Sequence, residues 1–494
     1  MKKLISLILA LSMVFSICSV AFAEQDECNG DCEYTPIVYV PGFGAGIYLN
    51  PESDDRTAVY PPSVSDILKA IPDFFVAIMG IAMGNEPLFG KAAVRAANKL
   101  LANLACDENG EPVKDTSIKP FEYSETDYHR IITDDVTDRT FDFEYDWRLS
   151  PIDNAADLKD FIEYVKELTG HDTVSIMCHS QGNTVVAAYL ELYGNEGIEK
   201  IAFLSPAFQG ISILGSLYRK EADLSDKADQ LKFFVESIMG ESAGTDVVSL
   251  LLGALNFTGF TDGLLRFLQK YLTSQFDLIY KECLAPAFGN LAGTWSFVPD
   301  EYFDDAVEAM FEGRENAPVL EKINYYHDNV QVKLPEILEE AMVDGTDIII
   351  CAGYNISTIP VSLTPAVHSD FLIDTKYMSI GATCAPLGDT LGENYVQAVD
   401  CGHNHVSADL AVDASTCAFP EYTWFFSGMS HSVFPAGYLK FLDTYFLAEN
   451  KVTVHTYEEY PQFMAADKEG NLIPVTPAEE KSGGILGIFS ELFA

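Results

Sequence analysis

Thr173-Val-Ser-Ile-Met-Cys-His-Ser-Gln-Gly-Asn183 reads as an apolar strand running into a tight turn at Ser180, then a helix from Asn183 to Tyr193. Strand, sharp turn and helix in that order are the setting of a serine nucleophile in a G-x-S-x-G elbow. Such a turn forces the serine into a strained backbone conformation and projects its hydroxyl beyond the sheet edge. The residues two before and two after must be small, because strand and helix nearly touch there. Gly182 meets that need. Cys178 stands where the first glycine is usual.

The rest of the chain extends this pattern. Pro36-Ile-Val-Tyr-Val-Pro-Gly42 is an apolar strand ending in a Pro-Gly break. Thr140-Phe-Asp-Phe-Glu-Tyr-Asp-Trp147 alternates and predicts a second strand. Leu158, Phe161, Ile162, Val165 and Leu168 form a helical stripe stopped by Gly170. Lys200–Pro206 and Asp347–Gly353 read as further strands, Ala436–Ala448 as a helix and Lys451–Tyr457 as a last strand. Alternating strands and helices imply an α/β fold, a mostly parallel sheet covered on both faces. An insertion over about 51–125 contains an apolar stretch, 67–83, that Lys69, Pro72 and Asp73 interrupt too often for a membrane span. It reads as a pair of helices over the core or a surface that touches lipid. Leu- and Phe-rich stretches over 210–345 read as an inserted helical cap. Its residues Leu250, Leu251, Leu264 and Phe267 are expected to face lipid. The implied organisation is a hydrolase core over 34–209 and 346–465, the cap between them, and a tail over 466–494.

Length and charge bound the function. The chain has 494 residues, 48% of them apolar, and a formal net charge of −44. Such acidity repels phosphates and argues against a nucleic-acid partner. Residues 1–23 carry Lys2-Lys3, an apolar run and Ala21-Phe22-Ala23, which together read as a secretory signal. A secreted, extracellular protein is expected, and export permits disulfides. Cys28 and Cys32 suit a small closed loop, and Cys178 suits an unpaired thiol.

A serine hydroxyl needs a base to take its proton and an acid to orient that base, and on this architecture they follow in the order Ser, acid, His. His431, in the loop before the last helix, is the expected base, with His403 and His405 as competitors. His455 reads as structural. Asp409, in Ser407-Ala-Asp-Leu-Ala-Val412, is the expected acid, with Asp413 as the alternative and Asp400 a further competitor. The oxyanion of a tetrahedral intermediate requires two N–H donors. The backbone groups of Gln181 and Phe43 are expected to supply them. Trp147 is a candidate for the substrate pocket, although packing is the simpler role, with Asp146 and Arg148 pairing to fix the strand end. His403 and His405 at i, i+2 lack a fixed carboxylate, so no metal site is expected, and no cofactor is called for.

Several of these segments have a family likeness. Glu144-Tyr-Asp-Trp-Arg-Leu-Ser-Pro151 resembles the Y-D-W-R-L signature of the lecithin:cholesterol acyltransferase family of α/β-hydrolases. That family includes phospholipid:diacylglycerol acyltransferases and lysosomal phospholipase A. Val40-Pro-Gly-Phe resembles its oxyanion loop, Ser205-Pro-Ala-Phe-Gln-Gly210 its A-P-x-x-G segment, and Ile350-Cys-Ala-Gly-Tyr-Asn355 the strand ahead of its acid. Asp-Leu-Ala-Val stands where the family usually has Asp-Gly-Thr-Val. The resemblance implies a lipase, phospholipase or O-acyltransferase acting on acyl esters of lipids through an acyl-enzyme, with lipid contact through the cap. Two other readings remain at this point: a catalytically impaired extracellular binding protein on the same fold, and a serine peptidase.

Overall fold

A computed structural model describes residues 34–53, 55–61, 64–119, 139–221, 270–271, 273–358 and 367–477. The signal segment, Cys28, Cys32, the end of the tail and the middle of the expected cap with Leu250, Leu251, Leu264 and Phe267 lie outside the described residues.

Eight strands form one sheet: β1 (Ile37–Val40), β2 (Thr140–Asp142), β3 (Val174–His179), β4 (Ile198–Leu204), β5 (Asp347–Tyr354), β6 (Thr423–Ser427), β7 (Phe463–Ala466) and β8 (Leu472–Pro474). Their order across the sheet is β8-β7-β6-β5-β4-β3-β1-β2. Every neighbouring pair is parallel except β7 with β8. Parallel strands sandwiched between layers are apolar on both faces, and β5 is buried along its whole length. Side chains alternate between two cores. Ile201, Phe203, Ile348 and Ile350 face one cluster, while Ala202, Leu204, Ile349 and Cys351 face the other. With the Ser180 turn at the end of central β3, this is the α/β-hydrolase fold.

The insertion after β1 forms two helices, α1 (Val64–Ala82) and α2 (Glu86–Leu101). The helix α3 (Pro151–Thr169) starts where the Ser150 hydroxyl accepts from Ile152 N–H, and ends where Gly170 takes φ +71°. Together with α4 (Gly182–Tyr193) and α5 (Leu334–Val343) it covers one face of the sheet, and α6 (Ala436–Leu447) covers the other. None of the described helices is long and apolar enough to cross a membrane.

Two expectations need correction. β2 ends at Asp142, not Trp147; the residues beyond it leave the sheet to hold other segments, as described below. Lys451–Tyr457 is a run of turns and loop, and the chain re-enters the sheet only at β7. Within the stretch expected to be cap, Tyr326, Val330, Leu334, Leu338 and Ala341 pack into the main core beneath the sheet.

Asp146 and Arg148 form the expected pair. The guanidinium grips the carboxylate in bidentate fashion, Nε to Oδ1 at 2.9 Å and Nη2 to Oδ2 at 2.6 Å, and both side chains are buried. Its remaining N–H groups donate to Thr116 Oγ1 and the Thr116 carbonyl. Removing one partner of a buried ion pair strands the other charge in a low-dielectric site. Arg148→Ala should therefore destabilise the fold by roughly 3–5 kcal/mol, measured by urea unfolding.

Candidate active site

The elbow is a steric lock between three segments. Ser180 adopts φ +54°, a left-handed conformation that costs a residue with a Cβ of order 1–3 kcal/mol and persists only when the surroundings dictate it. Here they do. A Cβ on Gly182 would lie 2.2 Å from the Val40 carbonyl oxygen and 2.5 Å from that of Pro41. A side chain at Gly42 would sit 2.7 Å from Ser180 Cβ. Cys178, in the place of the first glycine, is wholly buried and points its thiol inward, donating to Asn183 Oδ1 at 3.3 Å. Burial pushes that thiol well above its ordinary pKa, so it stays a neutral packing group rather than a rival nucleophile.

Ser180 Oγ and His431 Nε2 are 2.9 Å apart, and His431 Nδ1 is 2.6 Å from Asp370 Oδ2. The carboxylate that meets His431 is therefore Asp370, not Asp409 or Asp413. Asp370 follows the short hairpin Ile356–Ser357/His368–Ser369 that leaves β5, on a turn whose next residue, Phe371, takes φ +91°. Its other oxygen accepts from Leu372 N–H at 3.0 Å and Ile373 N–H at 2.8 Å. Burial works to raise the Asp370 carboxyl, but the charge and hydrogen bond of His431 and the two amides outweigh it and hold the group below the usual range. The backbone joins the same two loops, His431 N–H donating to the Asp370 carbonyl at 2.8 Å. Gly353 makes the approach possible, because a Cβ there would lie 2.7 Å from Asp370 Cβ.

Asp409 sits outside this contact, accepting from Tyr354 Oη at 3.2 Å and Asn355 Nδ2 at 2.9 Å. Asp413 closes a loop, accepting from Tyr395 Oη, Ala398 N–H and Ser415 N–H. Both carboxylates are committed to loop architecture. His403 and His405 lie away from Ser180, against Glu421. The signal that would have found Asp370 is in the sequence: it is the first acidic residue after the β5 strand.

His179 was also overlooked. Its Nε2–H donates to the His431 carbonyl at 2.8 Å, and its ring lies 4.8 Å from that of His431. Burial pushes its pKa down to about 3, helped by the neighbouring His431 charge, so it is a neutral donor that positions the base loop.

The two proposed oxyanion donors flank the serine. Gln181 directly follows it, and Phe43 follows the glycine packed on it. Among the described loop and turn hydrogen bonds, neither backbone N–H has an acceptor. The loop that carries Phe43 is pinned from the other side. Tyr145 Oη donates to the Pro41 carbonyl at 2.9 Å and Trp147 Nε1 to the Ala45 carbonyl at 3.1 Å. Trp147 also packs against Phe43, ring centroids 4.2 Å apart with the planes tilted by 49°. Beside it lies an apolar cavity of about 130 Å³, lined by Phe43, Tyr60, Leu101, Leu104, Trp147 and Phe288 among others.

Residues 136–218, which hold Tyr145–Arg148, Ser180 and Ser205–Gly210, match the family model described as lecithin:cholesterol acyltransferase. This segment is LCAT-like. Comparison with curated protein sequences gave no match. Among solved structures, the one titled "The crystal structure of Tle4-Tli4 complex" is 14% identical, covers 37% of this chain and 48% of its own, and has a TM-score of 0.20. The present chain thus spans about half the length of that structure. In the LCAT-like segment, the signature residues alternate in purpose: Tyr145 and Trp147 hold the loop after β1, while Arg148, paired with Asp146, anchors Thr116.

Asp370→Asn should slow labelling of Ser180 by a fluorophosphonate about 10³–10⁴-fold, since an amide favours the wrong imidazole tautomer. Asp409→Asn should leave the rate nearly unchanged. Equal effects in the two variants would show that the Asp370 contact does not set the reactivity of the serine.

Proposed function

We propose that the protein is an exported serine hydrolase acting on acyl esters of lipids, with Ser180, His431 and Asp370 as its triad. The observation that carries this reading is the continuous linkage from Asp370 Oδ2 through His431 to Ser180 Oγ, at 2.6 and 2.9 Å, on a serine held at φ +54°. His431 Nε2 takes the proton as Ser180 Oγ attacks the ester carbonyl. Charge that develops on the carbonyl oxygen is met by the N–H groups of Phe43 and Gln181. His431 returns the proton to the departing alcohol, leaving an acyl-enzyme. Water or a second alcohol then accepts the acyl group through the reverse sequence, so hydrolysis and acyl transfer use the same residues. Asp370 stabilises the imidazolium that appears in each half-reaction.

The surroundings favour an apolar acyl chain. The cavity beside Phe43 is bounded by Leu101 and Leu104 at the end of the α1–α2 hairpin. On the outer side of that hairpin, Leu68, Ile71, Phe75 and Ile78 are between 47% and 63% exposed. Their spacing puts them on one stripe of α1, opposite the buried Ala70, Asp73 and Ala77. A contiguous apolar face of this kind suits a lipid surface. The net charge of −44 favours zwitterionic over anionic lipid.

Ser180→Ala should reduce hydrolysis of a soluble butyrate ester by on the order of 10⁴-fold and abolish fluorophosphonate labelling, with an unchanged circular dichroism spectrum. Retained turnover in that variant would place the nucleophile elsewhere.

Phe75→Glu combined with Ile78→Glu should weaken binding to phosphatidylcholine vesicles and lower long-chain ester turnover there about tenfold or more, because each buried apolar side chain contributes roughly 1.5–3 kcal/mol. Butyrate hydrolysis should hold. Parallel losses on both substrates would mark general destabilisation instead.

A further inference from the structure

Away from the triad, at the opposite end of β6, three of the chain's nine histidines converge on one carboxylate. His403 Nδ1 lies 2.9 Å from Glu421 Oε1, His405 Nε2 lies 3.2 Å from the same oxygen, and His455 Nε2 lies 3.1 Å from Glu421 Oε2. All four ligand atoms fall within 4.8 Å of one another. The residues come from three separate stretches: the loop near 403, the turn just before β6, and the segment after α6.

The ring of His405 is oriented by a neighbour. His405 is fully buried, and its Nδ1 lies 2.7 Å from Gln462 Oε1. The Gln462 amide can present only its oxygen there, because its Nε2 donates to the carbonyls of Pro420 and Thr423. Nδ1 must then carry a hydrogen, which leaves Nε2, facing Glu421, as the ring atom that can ligate a cation. A histidine ligand whose second nitrogen donates to an oxygen acceptor is the usual outer arrangement of a metal site. A second glutamine shapes the loop: Gln397 Oε1 accepts from His405 N–H, and its Nε2 donates to the His403 carbonyl at 3.0 Å.

We propose that His403, His405, His455 and Glu421 form a structural zinc site that ties the 397–406 loop and the segment after α6 to the start of β6. Three imidazoles and one carboxylate match the borderline character of zinc and fill a tetrahedral shell, leaving no open position for catalysis. Bonds of about 2.0–2.1 Å place tetrahedral ligands roughly 3.4 Å apart. The half-exposed rings of His403 and His455 supply the small inward rotation this needs. Because Glu421 precedes β6 and His431 follows it, the ion would act on stability and not on the chemistry at Ser180.

The full chain, stripped with chelator and dialysed, is titrated with zinc chloride against a chromophoric indicator, and with cobalt(II) for its visible spectrum. The proposal expects one zinc per chain, a tetrahedral cobalt spectrum without thiolate charge-transfer bands, and a Tm that rises with zinc concentration. His455→Ala, at a partly exposed position that the fold tolerates, should weaken zinc binding at least tenfold, and His405→Ala should do so more severely. Hydrolysis of the soluble butyrate should be nearly unchanged in His455→Ala. Absence of zinc binding by the parent chain overturns the proposal, as does binding of unchanged affinity in His455→Ala or a cobalt spectrum dominated by thiolate.

Discussion

The squeeze between the start of α4 and the end of β1 is the constraint on which the site depends. Gly182 lies so close to the carbonyls of Val40 and Pro41 that no side chain fits. That contact fixes where the helix begins, and the helix start fixes Ser180 in its left-handed turn. The same contact brings the Gly42–Phe43 peptide alongside the serine, so one steric condition positions both Ser180 and the Phe43 loop. The inward-turned Cys178 thiol shows that the condition is looser on the strand side, where Asn183 and the β4 backbone receive it.

From that fixed serine, His431 and Asp370 are placed by two loops leaving adjacent strands. β5 and β6 pair in register from Thr423 with Ile350 to Ser427 with Tyr354. Their exits therefore lie side by side, and the Asp370 and His431 loops meet as neighbours. Backbone and side-chain bonds both join them, and His179 holds the His431 carbonyl from the serine side. His431 is thus held through its ring, its N–H and its carbonyl at once.

The sequence made the parallel sheet, the elbow and the order of serine before histidine legible, because each rests on local pattern: apolar runs, a tight turn between strand and helix, and position along the chain. It misled where a residue's role depends on where a loop goes. The turn around Asp409 has the local look of an acid turn, yet it packs on Tyr354 and Asn355, one layer away from the base. Asp370 is the first acidic residue after β5, but Ser369-Asp-Phe-Leu has no acid-turn pattern, and its contact with His431 follows from a hairpin that returns to the end of β5. The same limit hid the gathering of His455 and Glu421 with the His403–His405 pair, since fifty residues separate His405 from His455.

Tyr145 and Trp147 touch neither Ser180 nor His431 through any hydrogen bond described above, yet each holds a carbonyl of the loop that presents Phe43. The loop is short of regular structure and, left alone, would sample many conformations. With both ends tethered, its conformational entropy is surrendered once, when the chain folds. The tyrosine and tryptophan of the Tyr-Asp-Trp-Arg run thus decide how ready the Phe43 loop stands beside Ser180, although neither bonds to the serine itself.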